Sequence, residues 1–306
     1  MAPLVSVVVT TYNHAPYLAV ALDAIMAQRC NFGVEIILGE DCSSDDTLAI
    51  CREYAEKYPE NITLIASVAN VGWRANYRRC VEAARGKYIA FCDGDDYWCD
   101  DNRLAEQVAL MEKHPKLGLC YTLAERGNER GELVGRFPIG KGHTTLDAML
   151  HDWCVENCTT LARRDLVLEY YADEKPENRP EWLTEDLPMW LFVAAHSEVA
   201  YIERATAVHR VFPDSVSHST SLAKRLAFCD SSSNIKLWFD ERYNRSRQRR
   251  HLLRERMNTA LWVYSYIGSV GEFTKRWWSE IKARPMQILS PVPYVLFAKK
   301  LFRKAK

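Results

Sequence analysis

The stretch Tyr88-Ile-Ala-Phe91-Cys92-Asp93-Gly94-Asp95-Asp96-Tyr97-Trp98 sets a short apolar, β-type run directly against three carboxylates. Like charges packed that closely repel one another, and a strand continuing through a core has no use for them. The strand must therefore end there, at an edge open to solvent or to a counter-ion. Oxygen-rich clusters in such places suit a hard divalent cation, Mg²⁺ or Mn²⁺, which in turn can grip the diphosphate of a nucleotide. The plainer alternative is an acidic turn ahead of a helix opening near Asp101-Asn102.

The flanking sequence alternates strand and helix signals. Leu4–Thr10 is a β-branched run with almost no polar interruption, as expected of a strand buried on both faces of a parallel sheet. Pro16–Gln28 carries apolar residues at helical spacing, with Pro16 near the first turn. Glu35–Leu38, Ile62–Ala66 and Tyr88–Phe91 read as further strands, and helices are expected from Asp45-Asp46 through Tyr54 and over Asn76–Ala84. This alternation predicts right-handed βαβ units and an α/β fold with a mostly parallel sheet. In such sheets ligands collect at the carboxyl ends of the strands, where Thr10–Asn13, Glu40-Asp41 and Asp93–Asp96 all fall.

Downstream the pattern is less regular. Leu117–Leu123 reads as a strand, Glu125–Gly135 as a hairpin or excursion, and Thr159–Leu161 as a strand entering a helix at Arg164–Tyr171. Lys175–Pro180 is a loop, Leu187–His196 a helix and Ala205–Val211 the last strand; beyond Ser221 the spacing is helical.

At 306 residues the chain can bury a full core. No run approaches the roughly 20 apolar residues of a membrane span. The chain enters its first strand with no basic leader, so no signal peptide is expected. Ten cysteines include no CxxC pair, and several sit inside apolar runs, which favours reduced thiols and a cytoplasmic location.

Four motifs in order resemble a family 2 inverting glycosyltransferase of the GT-A fold, of the type that assembles bacterial glycans and polysaccharides. They are Val7-Val-Val-Thr-Thr-Tyr12-Asn13, Glu35-Ile-Ile-Leu-Gly-Glu40-Asp41-Cys-Ser43-Ser-Asp45, Asp93-Gly-Asp95-Asp96 and Thr184-Glu185-Asp186. The match covers roughly residues 4–220, giving an expected catalytic domain over 1–220 (nucleotide-binding to about 100) and a basic helical region over 221–306. The resemblance implies metal-dependent transfer of a sugar from a nucleotide diphosphate donor, a UDP-sugar, to a saccharide or polyprenyl-diphosphate-linked acceptor. A nucleotidyltransferase would share the acidic strand ends, but it typically carries a basic, Gly-rich loop after the first strand that this chain lacks. A catalytically inactive glycan-binding relative would be expected to lose Asp95 or Asp186, and both are present.

The resemblance also assigns roles. Thr10, Tyr12 and Asn13 lie against the nucleoside, although Asn13 could equally cap the next helix. Asp41 accepts a hydrogen bond from the uracil imide; as a plain feature it would be N-terminal helix charge. Asn70, Gly72 and Asn76 flank the nucleotide, though Asn-Val-Gly is also an ordinary turn. Asp93 faces the ribose, Asp95 ligates the metal, and Asp96 completes the shell or caps a helix. Asp186 is the general base that an inverting attack requires, with Glu185 orienting the acceptor or the loop. Both acids could instead be helix-start charges ahead of Pro188. Arg210, in Val208-His209-Arg210-Val-Phe-Pro-Asp-Ser215-Val-Ser217-His218, suits the diphosphate. His209 stands where the family has an aromatic residue, and stacks, ligates the metal or is a satisfied strand histidine. His14, His114, His143, His151 and His196 show no ligand spacing and read as structural.

The neutral total charge conceals an asymmetry, because residues 221–306 hold 19 Lys and Arg against 6 Asp and Glu. Bulky apolar groups (Trp262, Trp277, Trp278, Tyr294, Phe297, Leu301, Phe302) interleave with these cations. Ile288–Lys306 is too short and too basic to span a bilayer but suits an amphipathic element at an anionic membrane surface. This region is therefore expected to dock at the inner face of the plasma membrane. It could also pack its tryptophans on the catalytic body or on a second copy of the chain. The acidic body disfavours nucleic acid as a partner.

Overall fold

The computed structural model describes residues 2–135, 138–152, 155–212, 219–283 and 291–303. The chain divides into two compact units, Met1–Pro180 with Glu185–Val211, and Glu181–Thr184 with Phe212–Lys306.

In the first unit β1 (Val5–Thr11), α1 (Leu18–Met26), β2 (Val34–Glu40), α2 (Thr47–Lys57), β3 (Ile62–Ala66), α3 (Trp73–Ala83) and β4 (Tyr88–Phe91) alternate as the apolar spacing predicts. β1 lies between β2 and β4, parallel to both, and β3 runs parallel outside β2. Val5, Val7, Val8 and Val9 are all buried, which is why β1 carries no polar alternation. α3 rests directly on β2: a Cβ on Gly39 would lie 2.2 Å from Cys80 Sγ and 2.6 Å from Asn76 Oδ1. Only hydrogen fits there.

The second half comprises β5 (Tyr97–Trp98), α4 (Arg103–Lys113), β6 (Leu117–Gly127), α5 (Leu146–His151), β7 (Leu161–Arg163), α6 (Arg164–Glu174), α7 (Asp186–His196) and β8 (Glu198–Arg210). The eight strands form one sheet in the order β3-β2-β1-β4-β7-β6-β8-β5. β7 is antiparallel to β4 and β6, β8 is parallel to β6, and β5 is antiparallel to β8.

The structure departs from the sequence expectations at several points: α5 was not anticipated, and the strand expected over Thr159–Leu161 lies at Leu161–Arg163, with Asn157–Thr159 in a 3₁₀ turn. β5 was not anticipated, being two residues long and hidden behind the acids. β8 begins at Glu198 rather than Ala205, because exposed Glu203 and Arg204 break the apolar pattern in mid-strand. The Glu125–Gly135 segment is partly strand: β6 runs to Gly127, and isolated bridges Gly127–Leu133 and Ala124–Ile139 fold the chain back.

Fully buried Arg103 fastens this half together. Its guanidinium stacks 4.1 Å from the centroid of Trp98, Nε donates to Gln107 Oε1 at 3.3 Å, Nη1 donates to the Cys158 carbonyl and Nη2 to that of Thr160 at 3.2 Å. Trp98 Nε1 donates to the same Cys158 carbonyl at 3.0 Å. The 3₁₀ turn Asn157–Thr159 is held by these bonds.

The second unit is helical: α8 (Leu222–Tyr243), α9 (Arg249–Tyr266), α10 (Val270–Ala283) and α11 (Pro291–Arg303). α9 packs against the other three. A small core of Met257, Leu261, Phe273 and Leu296 is flanked by Tyr264, Trp277 and Phe297. Lys236, nearly buried, pairs with Glu255 at 3.0 Å between α8 and α9. Among the described residues no helix is long and apolar enough to cross a membrane. The nine described cysteines are free, five of them buried.

Arg103→Ala should destabilise the protein by about 3 kcal/mol or more, since it leaves a void beside Trp98 and removes donors from two buried carbonyls. Urea unfolding followed by tryptophan fluorescence measures this, and an unchanged midpoint would contradict the fastening role.

Candidate functional site

The parallel register brings the carboxyl ends of β1, β2 and β4 to one edge, and the ladder continues past β4. Cys92 N–H donates to the Val8 carbonyl at 3.1 Å and Gly94 N–H to that of Thr10 at 2.9 Å. The acidic run then crosses to β5, whose pairing of Tyr97 with Val208 draws Asp95 and Asp96 beside His209 and Arg210. Residues more than 110 positions apart meet because a two-residue strand turns the chain toward β8.

Each acid has a distinct environment. Asp93 accepts Thr10 Oγ1 at 2.7 Å and Asn157 Nδ2 at 3.2 Å. Burial, reinforced by the charge of Asp95, lifts its pKa to about 7. Asp95 is also raised, by burial and then by Asp96, and His14 Nε2 lies 3.9 Å from its Oδ2. Asp96 is buried; its Oδ1 accepts the Arg210 backbone N–H at 2.9 Å, and its Oδ2 lies 3.2 Å from His209 Nδ1. That carboxylate pushes His209 up to about 10, so the ring is an imidazolium. His209 is thus engaged with Asp96, a contact that sits with its reading as a satisfied strand histidine and leaves Nε2 for a ligand.

The donor set fits a hard or borderline divalent ion. Asp95 offers carboxylate oxygen. With Nδ1 of His209 committed to Asp96, Nε2 is the nitrogen left for an ion that takes the proton's place, held by a carboxylate behind the ring. Asp96, Cys158 and His209 have ligand atoms within 4.8 Å of one another, but burial holds the Cys158 thiol far above its usual pKa. Mg²⁺ and Mn²⁺ prefer oxygen ligands to sulfur, so Cys158 counts as packing.

Arg210 is buried, its guanidinium between the rings of Tyr97 (4.8 Å) and Tyr17 (5.1 Å). Nη1 donates to the Asp95 carbonyl, while Nε has no hydrogen-bond partner among the described residues. Ser215, Ser217 and His218 lie outside the described residues.

At the other end of the edge, Tyr12 is 46% exposed and free to present a ring face. Asn13, at φ 56°, does not cap α1, whose N-cap is Tyr17. Its Oδ1 accepts Ser44 N–H at 2.8 Å and its own N–H donates to Ser43 Oγ at 3.0 Å, joining the loops after β1 and β2. Asp41 is buried and precedes the N-cap of α2, Asp46. Its carboxylate accepts the backbone N–H groups of Val71 (2.8 Å) and Gly72 (2.9 Å), and its carbonyl accepts Asn70 Nδ2 at 3.0 Å. Gly72 takes φ 86°, open to glycine without strain. Asn76 is engaged within the fold, donating to the Gly39 carbonyl at 2.9 Å and accepting from Arg79.

Glu185 is buried at the start of α7, paired with Arg74 Nε at 3.2 Å, and burial raises its pKa to about 7 against the Tyr171 hydroxyl and Arg74. Asp186, half-buried, accepts the Leu187 N–H at 2.8 Å.

Sequence reasoning missed Glu156, Asn157, Tyr77 and His14. Asn157 donates to both Asp93 and the Tyr77 hydroxyl, and its buried Oδ1 has no partner among the described residues. Glu156, raised by burial, feels His209, Asp186 and Asp96. No motif marks this turn. His14 did carry a signal, since it directly follows Tyr12-Asn13.

A model of glycosyl transferase family 2 matches residues 6–169. An uncharacterized Mycobacterium tuberculosis protein is 32% identical over 72% of this chain, which spans 62% of that relative's length. A Bacillus subtilis protein provisionally named as the teichuronic acid biosynthesis glycosyltransferase TuaG is 27% identical over 70% of this chain and 82% of its own. Among solved structures, Staphylococcus aureus TarS with UDP-GlcNAc superposes with TM-score 0.55 at 18% identity (97% of this chain, 88% of that one). The mannosyltransferase PcManGT of Pyrobaculum calidifontis, with GDP-Man and Mn²⁺, gives 0.58 at 16% (98% and 86%). At those identities the structures show the shared GT-A fold. With a family model matching more than half of its length, the chain belongs to glycosyl transferase family 2.

Proposed function

We propose that this protein is an inverting, metal-dependent glycosyltransferase that moves a sugar from a UDP-sugar to a saccharide or polyprenyl-diphosphate-linked acceptor in cell-surface polysaccharide assembly. The observation that carries the reading is the gathering of two acidic groups around Tyr77. Tyr77 shares the Asn157 amide with Asp93 of the strand-end cluster, and its phenol, raised by burial first, also feels Asp186 and Glu185 at the start of α7. Carboxylates suited to the donor and a carboxylate suited to the acceptor thus share one neighbourhood. The nucleotide sugars in the two structural neighbours and the name of TuaG support donor class and setting.

In this reading Tyr12 stacks on the base, Thr10 and Asn13 line the nucleoside, and Asp93 faces the ribose. Asp41 meets the uracil imide with the lone pairs that Val71 and Gly72 leave unused, while Asn70, Gly72 and Asn76 shape the adjoining loop. Asp95, with Asp96 behind His209, holds Mg²⁺ or Mn²⁺, which when bound neutralises the charge of the departing diphosphate. Arg210 keeps the Asp95 backbone in place and turns its remaining N–H groups toward the phosphates. Asp186 takes the proton of the acceptor hydroxyl as that oxygen bonds to C1 of the sugar. The bond from C1 to the phosphate oxygen breaks on the opposite face, so configuration inverts and the nucleoside diphosphate leaves.

The helical unit supports a peripheral position at the inner face of the plasma membrane. Trp278 is 60% exposed, and Tyr294, Val292 and Val295 are exposed on the neighbouring α11. A cavity of about 550 Å³ between these helices is lined by Thr274, Lys275, Trp277, Trp278, Ile281 and Tyr294. Exposed aromatics beside lysine suit the boundary of an anionic bilayer. The basic ends of this segment are set by Lys299, Lys300 and Arg303, whose side chains lie outside the described residues.

UDP binding should need Mg²⁺ or Mn²⁺ and be lost in Asp95→Ala; calorimetric titration with and without EDTA decides, and equal affinity in both conditions removes the metal role. Asp186→Asn should leave UDP affinity nearly unchanged while lowering kcat by about 10²–10⁴. Retained turnover in that variant, with loss in Glu185→Gln, would reverse the assignment within the pair. The full chain should pellet with phosphatidylglycerol-containing vesicles, whereas Trp278→Ala/Tyr294→Ala should not; equal pelleting would show that the aromatic face is not the contact.

A further inference from the structure

Arg74 lies on the first turn of α3, two residues beyond Gly72, whose N–H is held by Asp41. Its side chain runs away from that loop. Nε meets Glu185 Oε2 at 3.2 Å, and Nη1 donates to the carbonyls of Pro176 (2.8 Å) and Arg179 (3.2 Å). The pair is largely removed from water, with side chains 18% and 4% exposed. Trp73 covers the outer side of the guanidinium at 4.8 Å. A buried carboxylate beside the Tyr170 and Tyr171 phenols would stay protonated without such a partner. One arginine therefore connects three segments: the loop after β3, the 3₁₀ turn Pro176–Asn178 and the start of α7.

We propose that Arg74 is a positioning residue for transfer: by holding the Glu185 carboxylate at the first turn of α7 it fixes where Asp186 presents its own, and it ties that placement to the loop held by Asp41. The proposal rests on Asp186 acting as the base. The guanidinium fork makes the arrangement directional, because two of its nitrogens are used at fixed angles and a single ammonium can reproduce only part of the pattern. The distance from Gly72 to Arg74 is set by the backbone, so the acceptor-side helix is indexed to the donor-side loop through one ion pair.

The test compares R74A, R74K, E185Q, R74A/E185Q and D186N in the full chain. It follows UDP affinity by calorimetry with Mn²⁺, thermal unfolding, and kcat and KM for hydrolysis of the UDP-sugar that the wild type turns over. R74A and E185Q should each lower kcat by about tenfold to a hundredfold, the scale of a misplaced catalytic group, with donor KM and UDP affinity within about threefold. The double variant should be no slower than the slower single one, and R74K should recover part of the rate. Because E185Q keeps the bonds from Arg74 to Pro176 and Arg179, it separates the ion pair from the fastening of that turn. If R74A loses stability and rate together while E185Q matches wild type, Arg74 is only a structural clamp and the proposal fails. If D186N keeps its turnover, the base assignment fails instead, and the cycle between positions 74 and 185 still reports whether the two act as one unit.

Discussion

The carboxylate of Asp96 is the point on which the site's architecture depends. Three acids in four positions would drive the chain apart unless something opposed their charge, and Asp96 does this by taking the Arg210 amide and the His209 ring from β8. The bond joins the acidic loop after β4 to β8, three strands along the sheet. The carboxylates of Asp93 and Asp95 are not committed to β8, although the Asp95 carbonyl is held by Arg210 Nη1. A buried acid with two partners of opposite polarity is held in one geometry, and its neighbours inherit that order.

Burial gives the remaining acids different characters without changing their chemical type. Asp93 and Glu185 are both pushed to about 7, one by burial with a neighbouring acid and the other by burial against a guanidinium that opposes the shift. Around neutral pH, then, neither is a fixed full charge. Positive charge arriving at the strand ends would favour the ionised form of Asp93, which couples proton release to occupancy.

The first half of the fold was legible because each strand there is a continuous apolar run ending in polar residues, and each helix has its own periodicity. The second half was not, because its strands owe their existence to partners rather than to pattern. β5 is two residues long, and the apolar pattern of β8 is broken by exposed Glu203 and Arg204 in mid-strand. The acids, Asp41 and the Glu185-Asp186 pair could be found as motifs. Glu156, Asn157 and Tyr77 could not: the turn that carries Asn157 is fixed by Arg103 and Trp98, more than fifty residues away, and Tyr77 reaches the site from α3, stacked on Phe91. Legibility failed where a residue's role is created by tertiary contact alone.

The hydrogen bonds from Asn13 to Ser43 and Ser44 bear on any attempt to reshape the nucleoside end. They make the loops after β1 and β2 one mechanical object, although some thirty residues separate them in the chain. An exchange of either loop alone, as in chimeras built to change base preference, would cut the three bonds at Asn13, whose backbone is left-handed, together with that from Ala15 N–H to Asp45. Interchangeable parts in this fold are therefore pairs of loops, and recombination breakpoints that respect the pair should yield folded hybrids more often than those that divide it.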